Sequence, residues 1–228
     1  MRADIFSSQE KGTGWLIKNK EDLKMAVRQD EKGWTHIDWE LEGITPKMID
    51  WWWCNMEKGF ALWHPVEHTD FYWHTKPSGN QVLGKIQVAP QVWSDGTFIK
   101  PHIRWEDVAT LSEDIKEIIV YDHVLVAAGI SLTGENMKDD DPPIAYRIHQ
   151  YEKTDFGVKG ISSAIPCKPE PPEKGLVWAK HGSEEIGYFQ DFLADLYRLW
   201  RVVKNPEVNP YFSFKVVREG KSLRYAAQ

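Results

Sequence analysis

Cysteine, basic charge and long apolar runs are all scarce in this sequence. Its two cysteines, Cys54 and Cys167, form neither a C-x-x-C motif nor a disulfide framework, which favours a reducing compartment and a cytoplasmic protein. The net charge is -6 and no basic stripe is present, so we expect no nucleic-acid partner. No run approaches the ~20 apolar residues of a membrane helix, and the N-terminus has no apolar signal-peptide core. We therefore expect no membrane association.

Tryptophan, by contrast, is abundant. The chain has 12 tryptophans among 228 residues, within a composition that is 42% hydrophobic and 27% charged and thus typical of a folded globular protein. Because an indole is bulky and its N–H needs a partner when it is buried, a core of this size does not require so many. The excess indicates a cavity lined by aromatic side chains.

The hydrophobic periodicity predicts an N-terminal arm over residues 1–30 and a single α+β domain over 31–228. Alternating residues predict a strand at 34–41, and Thr45-Pro46 is typical of the start of a helix, predicted over 46–58. Further strands, joined by short turns, are predicted as an antiparallel meander at 60–63, 70–75, 85–89, 97–108, 116–121, 123–132, 144–153 and 158–167.

A different period follows the proline-rich segment at 168–175. Apolar residues such as Ile186, Phe189 and Leu193 recur at the spacing of an amphipathic helix, predicted over 176–205. A short helix, a curved antiparallel sheet and one long C-terminal helix together describe a helix-grip architecture. In that arrangement the sheet wraps around the helix and leaves an internal cavity.

Three polar stretches could carry chemistry. His181 and Glu185 stand four residues apart on the long helix, so they share one face and form either half of a metal site or a surface contact. His64 and His68 flank a turn at Pro65, and only one of these two histidines need face the cavity. On the strand that ends at Glu106, the side chains of His102, Arg104 and Glu106 share one face, which lines either a polar cavity or solvent.

Together with two further segments, these stretches resemble the diacetylphloroglucinol hydrolase family, which includes phloretin hydrolase. The similarity spans roughly residues 45–200. The segments that carry it are the tryptophan-rich helix Asp50-Trp51-Trp52-Trp53-Cys54-Asn55-Met56, the turn Leu62-Trp63-His64-Pro65-x-x-His68, the strand ending in Glu106, the stretch His149-Gln-Tyr151-Glu-x-Thr-Asp-Phe-Gly157, and His181-x-x-x-Glu185.

The resemblance implies a helix-grip fold like that of START and birch-pollen allergen proteins, and hydrolysis of a carbon–carbon bond between an acyl group and a phenolic ring. It also implies one zinc ion per chain, held by His68, Glu106, His181 and Glu185. His64 is an alternative to His68 as a ligand, and His102 or Asp95 is an alternative to Glu106.

Further roles follow from the same resemblance. Glu106 or Glu185 would carry the proton to the ring, and His149 would contact the substrate or a metal ligand. We expect an aromatic small molecule as partner, stacked on Phe60, Trp52, Trp63 and Trp105. Family members tend to have tyrosine where this chain has Phe60, so we expect a less hydroxylated ring. A homodimer is compatible with the sequence.

Two other functions are compatible with a helix-grip cavity. One is a metal-independent polyketide cyclase or aromatase, and the other is a binding protein for a hydrophobic small molecule that catalyses no reaction. Metal analysis separates the hydrolase from both, because only the hydrolase requires an ion. Turnover of a ligand separates the cyclase from the non-catalytic binding protein, which we call the carrier.

Overall fold

A computed structural model of the chain describes residues 24–228, so most of the predicted N-terminal arm lies outside the described residues. Four α-helices occur in the described range: α1 (Pro46–Cys54), α2 (Phe60–Trp63), α3 (Glu113–Glu117) and α4 (Pro172–Trp200). The strands are β1 (Met25–Gln29), β2 (Thr35–Glu42), β3 (Tyr72–Thr75), β4 (Ile86–Val88), β5 (Gln91–Val92), β6 (Phe98–Ile99), β7 (His102–Trp105), β8 (His123–Ser131), β9 (Ala145–Lys153), β10 (Gly157–Pro166), β11 (Val216–Glu219) and β12 (Ser222–Tyr225).

Eight of these strands form one antiparallel sheet in the order β1-β2-β10-β9-β8-β7-β4-β3. Strands β7 to β10 are consecutive neighbours, which confirms the predicted meander for these four strands. The helix α4 packs against β2 and β10 and also contacts α1 and α2. This sheet around one long C-terminal helix is the helix-grip α+β fold predicted from the sequence.

Glycine allows α4 to approach the sheet closely. A Cβ atom on Gly175 would lie 2.0 Å from Thr35 Oγ1, and one on Gly182 would lie 3.0 Å from Ile37 Cδ1. Both partners belong to β2. These glycines weaken the helix intrinsically, but they allow its N-terminal half to lie directly on the sheet. That half carries His181 and Glu185.

Three segments differ from the prediction. Residues 60–63 form helix α2 instead of a strand, because Phe60 and Trp63 lie on one face three residues apart and are both buried in the core. In place of the strand predicted over 116–121, residues 113–117 form α3, where Glu113 and Asp114 in the first turn interact favourably with the helix dipole. Within the predicted arm, Met25–Gln29 pairs with β2 as a strand of the main sheet.

The sheet buries apolar side chains on both faces. On the concave face, Trp52 and Phe189 belong to the larger core cluster, which fills the space between the helices and the sheet. On the opposite face, Val124 and Val126 pack with Ile115 of α3 and Leu223 of β12. Within residues 24–228, no helix is both long and apolar enough to cross a membrane.

Candidate metal centre and ligand cavity

A cavity of about 150 Å³ lies between the concave face of the sheet and the helices. Alternate residues of the strands point toward it, so Ala145, Arg147 and His149 of β9 all line its wall. Helix α4 supplies Trp178, His181 and Glu185 from the other side. The wall is largely aromatic and aliphatic, with a small number of polar and charged groups.

One polar cluster in this wall combines two imidazoles and a carboxylate. His68 Nε2 and His181 Nε2 each lie 3.1 Å from the same atom, Glu185 Oε1. All three residues are buried. The helix supplies His181 and Glu185 one turn apart, as the i, i+4 spacing predicts. The turn after α2 supplies His68, and it is tied to β5 by the Val92 N–H, which donates to the Glu67 carbonyl at 2.9 Å.

The second nitrogen of each imidazole is already hydrogen-bonded. His68 Nδ1 lies 3.0 Å from the Phe60 carbonyl oxygen, and His181 Nδ1 lies 2.7 Å from Glu67 Oε2. Because a carbonyl and a carboxylate accept, both Nδ1 atoms carry the proton. In the neutral rings, the lone pairs of both Nε2 atoms therefore lie on the side that faces Glu185. Donation of the other ring N–H to a carboxylate or backbone carbonyl is the usual arrangement of metal-binding histidines.

His64 has the opposite tautomer. Its Nδ1 accepts a hydrogen bond from the Glu67 backbone N–H at 3.1 Å, which places the proton of the neutral ring on Nε2. That Nε2 lies 3.0 Å from Glu184 Oε2, on a side chain that is 40% exposed. The ring itself stacks on His181 with centroids 4.7 Å apart. Of the two histidines considered for the turn, the tautomers therefore favour His68 as a ligand.

The structure does not bring Glu106 into this cluster. Glu106 Oε1 pairs with Arg104 Nη2 at 2.6 Å, on the opposite side of the strand from Ile103 and Trp105, which line the cavity. The side chain of His102 shares the outer face, and Asp95 caps an exposed turn by accepting from the Thr97 N–H. The strand alternates as predicted, but its polar face points away from the cavity. The second carboxylate near the imidazoles is Glu67.

The cluster fits a zinc ion through three donors. Two donor atoms bound to a tetrahedral zinc at about 2.0–2.1 Å lie about 3.3 Å apart, close to the 3.1 Å found for both imidazole nitrogens and Glu185 Oε1. Two histidines and one glutamate are a donor set known from catalytic zinc sites, in which the fourth position remains open. The four protein ligands implied by the family resemblance would instead form a closed site.

The electrostatics of the cluster favour ionised Glu185. Burial alone would raise the pKa of Glu185, but His181 and His68 together hold it well below its usual range. Burial lowers the pKa of His181, whereas Glu185 and Glu67 act against burial and raise it to about 9. Without a cation, the two carboxylates therefore retain a proton on His181. A divalent ion can replace that positive charge.

The aromatic residues predicted to bind a ring have different positions. Phe60, Trp63 and Trp105 line the cavity, and the ring of Phe60 stacks on His68 at 3.8 Å with an interplanar angle of 4°. Trp52 does not line it, because its ring is fully buried against Trp63 and the helix α4. The next residue of α1, Trp53, lines the cavity instead, since successive helix positions are about 100° apart.

His149 lines the cavity, as expected for a substrate contact. Its ring packs on Trp53 at 4.9 Å, and its Nδ1 lies 2.9 Å from Ser162 Oγ. The Trp39 indole N–H donates to the same hydroxyl at 3.1 Å. Burial lowers the pKa of His149 to about 4, which keeps the ring neutral at physiological pH.

Several residues of the site were not predicted from the sequence. Glu67 directly precedes His68, and Arg147 stands two residues before His149 on the same strand face, so both positions could have been found from their neighbours. Trp93, which follows β5, and Trp178 of α4 also line the cavity. No local sequence pattern distinguishes them from the other tryptophans.

No protein-family model matches the chain, and characterised protein sequences give no significant match. Solved structures do match. Protein Ms6760 from Mycobacterium smegmatis is 13% identical with a TM-score of 0.52, over 75% of this chain and 98% of that chain. A protein from Rhodobacter sphaeroides is 12% identical with a TM-score of 0.50, over 75% and 99% of the two chains. Ara h 8.0201 is 13% identical with a TM-score of 0.43, over 74% and 99%.

These identities show a shared fold alone. The two bacterial structures are covered almost completely by this chain, so the similarity concerns the whole of their folds. With the topology described above, they support the conclusion that this chain is a helix-grip protein with an internal cavity.

Proposed function

We propose that this protein is a zinc-dependent hydrolase that cleaves a carbon–carbon bond between an acyl group and an aromatic ring. The observation that carries the proposal is the convergence of His68 Nε2, His181 Nε2 and Glu185 Oε1 at the wall of an aromatic cavity. A bound zinc ion would lower the pKa of a water molecule and polarise the acyl oxygen. Substrate binding and proton transfer would be carried out by side chains of the protein.

The cavity favours a substrate with one ring. Its volume of about 150 Å³ is the size of an engineered cavity that holds benzene. Trp53, Trp63 and Trp105 present flat aromatic surfaces, which suits a ring better than a sugar or a peptide. We therefore expect a single-ring acylphenol, and we expect two-ring compounds to be excluded unless the cavity enlarges.

Two side chains have defined tasks in the proposed reaction. In the tautomer that carries its proton on Nε2, His149 would donate a hydrogen bond to an oxygen of the substrate and hold the ring against Trp53. Hydrolysis adds the hydroxyl of water to the acyl carbon and its proton to the ring carbon. Of the two carboxylates considered for carrying this proton, only Glu185 lines the cavity, so we assign the transfer to Glu185.

Metal content tests the proposal directly. Elemental analysis of the purified full chain is expected to give about one zinc per chain, and His181→Ala and Glu185→Ala are expected to lose it while remaining folded. Glu106→Gln is the matched control, because Glu106 pairs with Arg104 outside the cavity and should keep wild-type metal content. Wild-type protein free of metal after purification in zinc-containing medium would contradict the proposal.

The reaction is tested with a panel of single-ring acylphenols that differ in their ring hydroxyls. Release of the free acid, measured by chromatography, is expected from the wild type and not from His181→Ala. Binding without acid release by the zinc-loaded protein would instead favour the metal-independent cyclase or the carrier function.

A further inference from the structure

Arg147 is a cation in the cavity wall without an anionic partner. Its guanidinium donates from Nη1 to the Tyr146 carbonyl at 3.0 Å and lies 5.1 Å from the ring centroid of Trp178. Among the described residues, no carboxylate lies within ion-pair distance of it, although Glu170 and Glu185 act on it over a longer range. Most of its five N–H donors therefore lack a protein acceptor.

This arrangement leaves guanidinium donors available to a ligand in the cavity. Burial lowers the pKa of Arg147 to about 10, so the group remains charged at neutral pH despite its surroundings. Arg147 is half-buried, so its guanidinium keeps some access to water, and none of its nitrogens is a fully buried donor without a partner. A guanidinium in an aromatic wall pairs best with a planar carboxylate through two parallel hydrogen bonds. By comparison, Arg104 on β7, which is separated from β9 by β8, faces outward and already pairs with Glu106 at 2.6 Å.

We propose that Arg147 binds a carboxylate carried by the aromatic ligand of this cavity. The inference rests on the proposed function and narrows its substrate class. The ligand would carry a carboxylate on its aromatic ring in addition to the acyl group. The carboxylate contact itself uses the cavity and Arg147 alone, so it does not depend on the metal. The cation–π contact with Trp178 positions the guanidinium in the wall without using its N–H donors.

The test uses benzoate and benzamide, which have the same shape and differ in charge. Binding to the purified full chain is measured by calorimetry and by quenching of tryptophan fluorescence. The wild type is expected to bind benzoate about 10-fold to 100-fold more tightly than benzamide, because hydrogen bonds to a charged group are the stronger ones. Acetate serves as the bare anion and is expected to bind far more weakly than benzoate.

Three variants locate the preference. Arg147→Met is expected to bind both ligands with similar affinity, and Arg147→Lys to keep a reduced preference for benzoate. The matched control Arg104→Met is expected to keep the full preference, because that arginine lies outside the cavity. Wild-type protein treated with a chelator to remove metal is also expected to keep the preference, so failure of the zinc hydrolase proposal would leave this result unaffected.

Four results would overturn the inference. They are an unchanged benzoate preference in folded Arg147→Met, loss of that preference in chelator-treated wild type, equal affinity for acetate and benzoate, and absence of benzoate binding to the wild type. If Arg147→Met does not fold, an undiminished preference in Arg147→Lys would count against the inference in the same way, because lysine cannot reproduce the bidentate contact.

Discussion

His181 Nδ1 donates to Glu67 Oε2 at 2.7 Å, a contact between residues 114 positions apart in the sequence. Both side chains are buried, and the contact fixes the imidazole so that its Nε2 points at Glu185. Carboxylates in this position orient metal-binding histidines and raise their basicity. Glu67 is thus a positioning residue for the candidate centre, whereas the sequence resemblance implied Glu106 as the second carboxylate and as a direct ligand.

Loss of the Glu67 carboxylate is expected to weaken zinc binding without abolishing it. Glu67→Gln keeps an acceptor for the His181 N–H but removes the charge, and Glu67→Ala removes both. We expect zinc affinity to fall about 10-fold to 100-fold, with the larger loss in Glu67→Ala. Competition with a chromophoric chelator measures the affinity. Glu106→Gln serves as the control, and an equal loss in that variant would contradict the assignment.

The two histidines of the turn are expected to respond differently to substitution. His68→Ala removes an imidazole whose lone pair faces Glu185 and should lose most bound zinc. His64→Ala removes a ring whose Nε2 carries a proton and faces Glu184, so zinc content should stay close to that of the wild type. Elemental analysis of both variants decides the matter, and the reverse pattern would make His64 the ligand.

Asp50 is expected to be a major determinant of stability. This fully buried carboxylate accepts hydrogen bonds from Tyr151 Oη at 2.7 Å, His123 Nδ1 at 3.0 Å and Tyr211 Oη at 3.3 Å. Asp50→Ala leaves these donors unpaired, so the free energy of unfolding should fall by about 3–5 kcal/mol. Urea unfolding measures the change.

The control for that experiment is Asp38, which forms an ion pair with Arg28 at 2.9 Å on the protein surface. Because water competes with such a pair, Asp38→Ala should cost less than about 1 kcal/mol. A similar loss of stability in the two variants would show that the network around Asp50 contributes no more than a surface contact.

Acid is expected to destabilise the protein through its buried histidines. Burial lowers the pKa of His149 to about 4, against about 6.5 in an unfolded chain. The unfolded state therefore binds the proton first as the pH falls, so the stability present above pH ~6.5 is lost progressively toward pH ~4. His36 contributes in the same direction, because burial also lowers its pKa.

The contribution of His149 can be isolated with His149→Gln. Its free energy of unfolding should decrease less than that of the wild type between pH 7 and pH 4, by on the order of 3 kcal/mol. Chemical unfolding at several pH values gives this difference. Parallel pH profiles for the two proteins would show that His149 does not titrate as its burial requires.

Much of this fold follows from local periodicity. Apolar runs bounded by turn residues indicate β8 to β10. The i, i+3, i+4 spacing defines most of α4, because it places apolar groups on one face of the helix. The pair His181 and Glu185 was predictable for the same reason, since the two residues are one helical turn apart. The helix α2 was not predictable as a helix, because four residues are too few to show a period.

The partners of that pair were decided only by the tertiary structure. Residues 102–106 alternate as predicted, but both faces of this strand carry large side chains. The sequence therefore could not determine which of the two faces would line the cavity. Packing places Ile103 and Trp105 inward and leaves Glu106 with Arg104. The contact of His181 with Glu67 and the position of Arg147 in the wall depend on how α4 lies across the sheet. A sequence determines the faces of its elements, whereas the packing of those elements determines which faces meet.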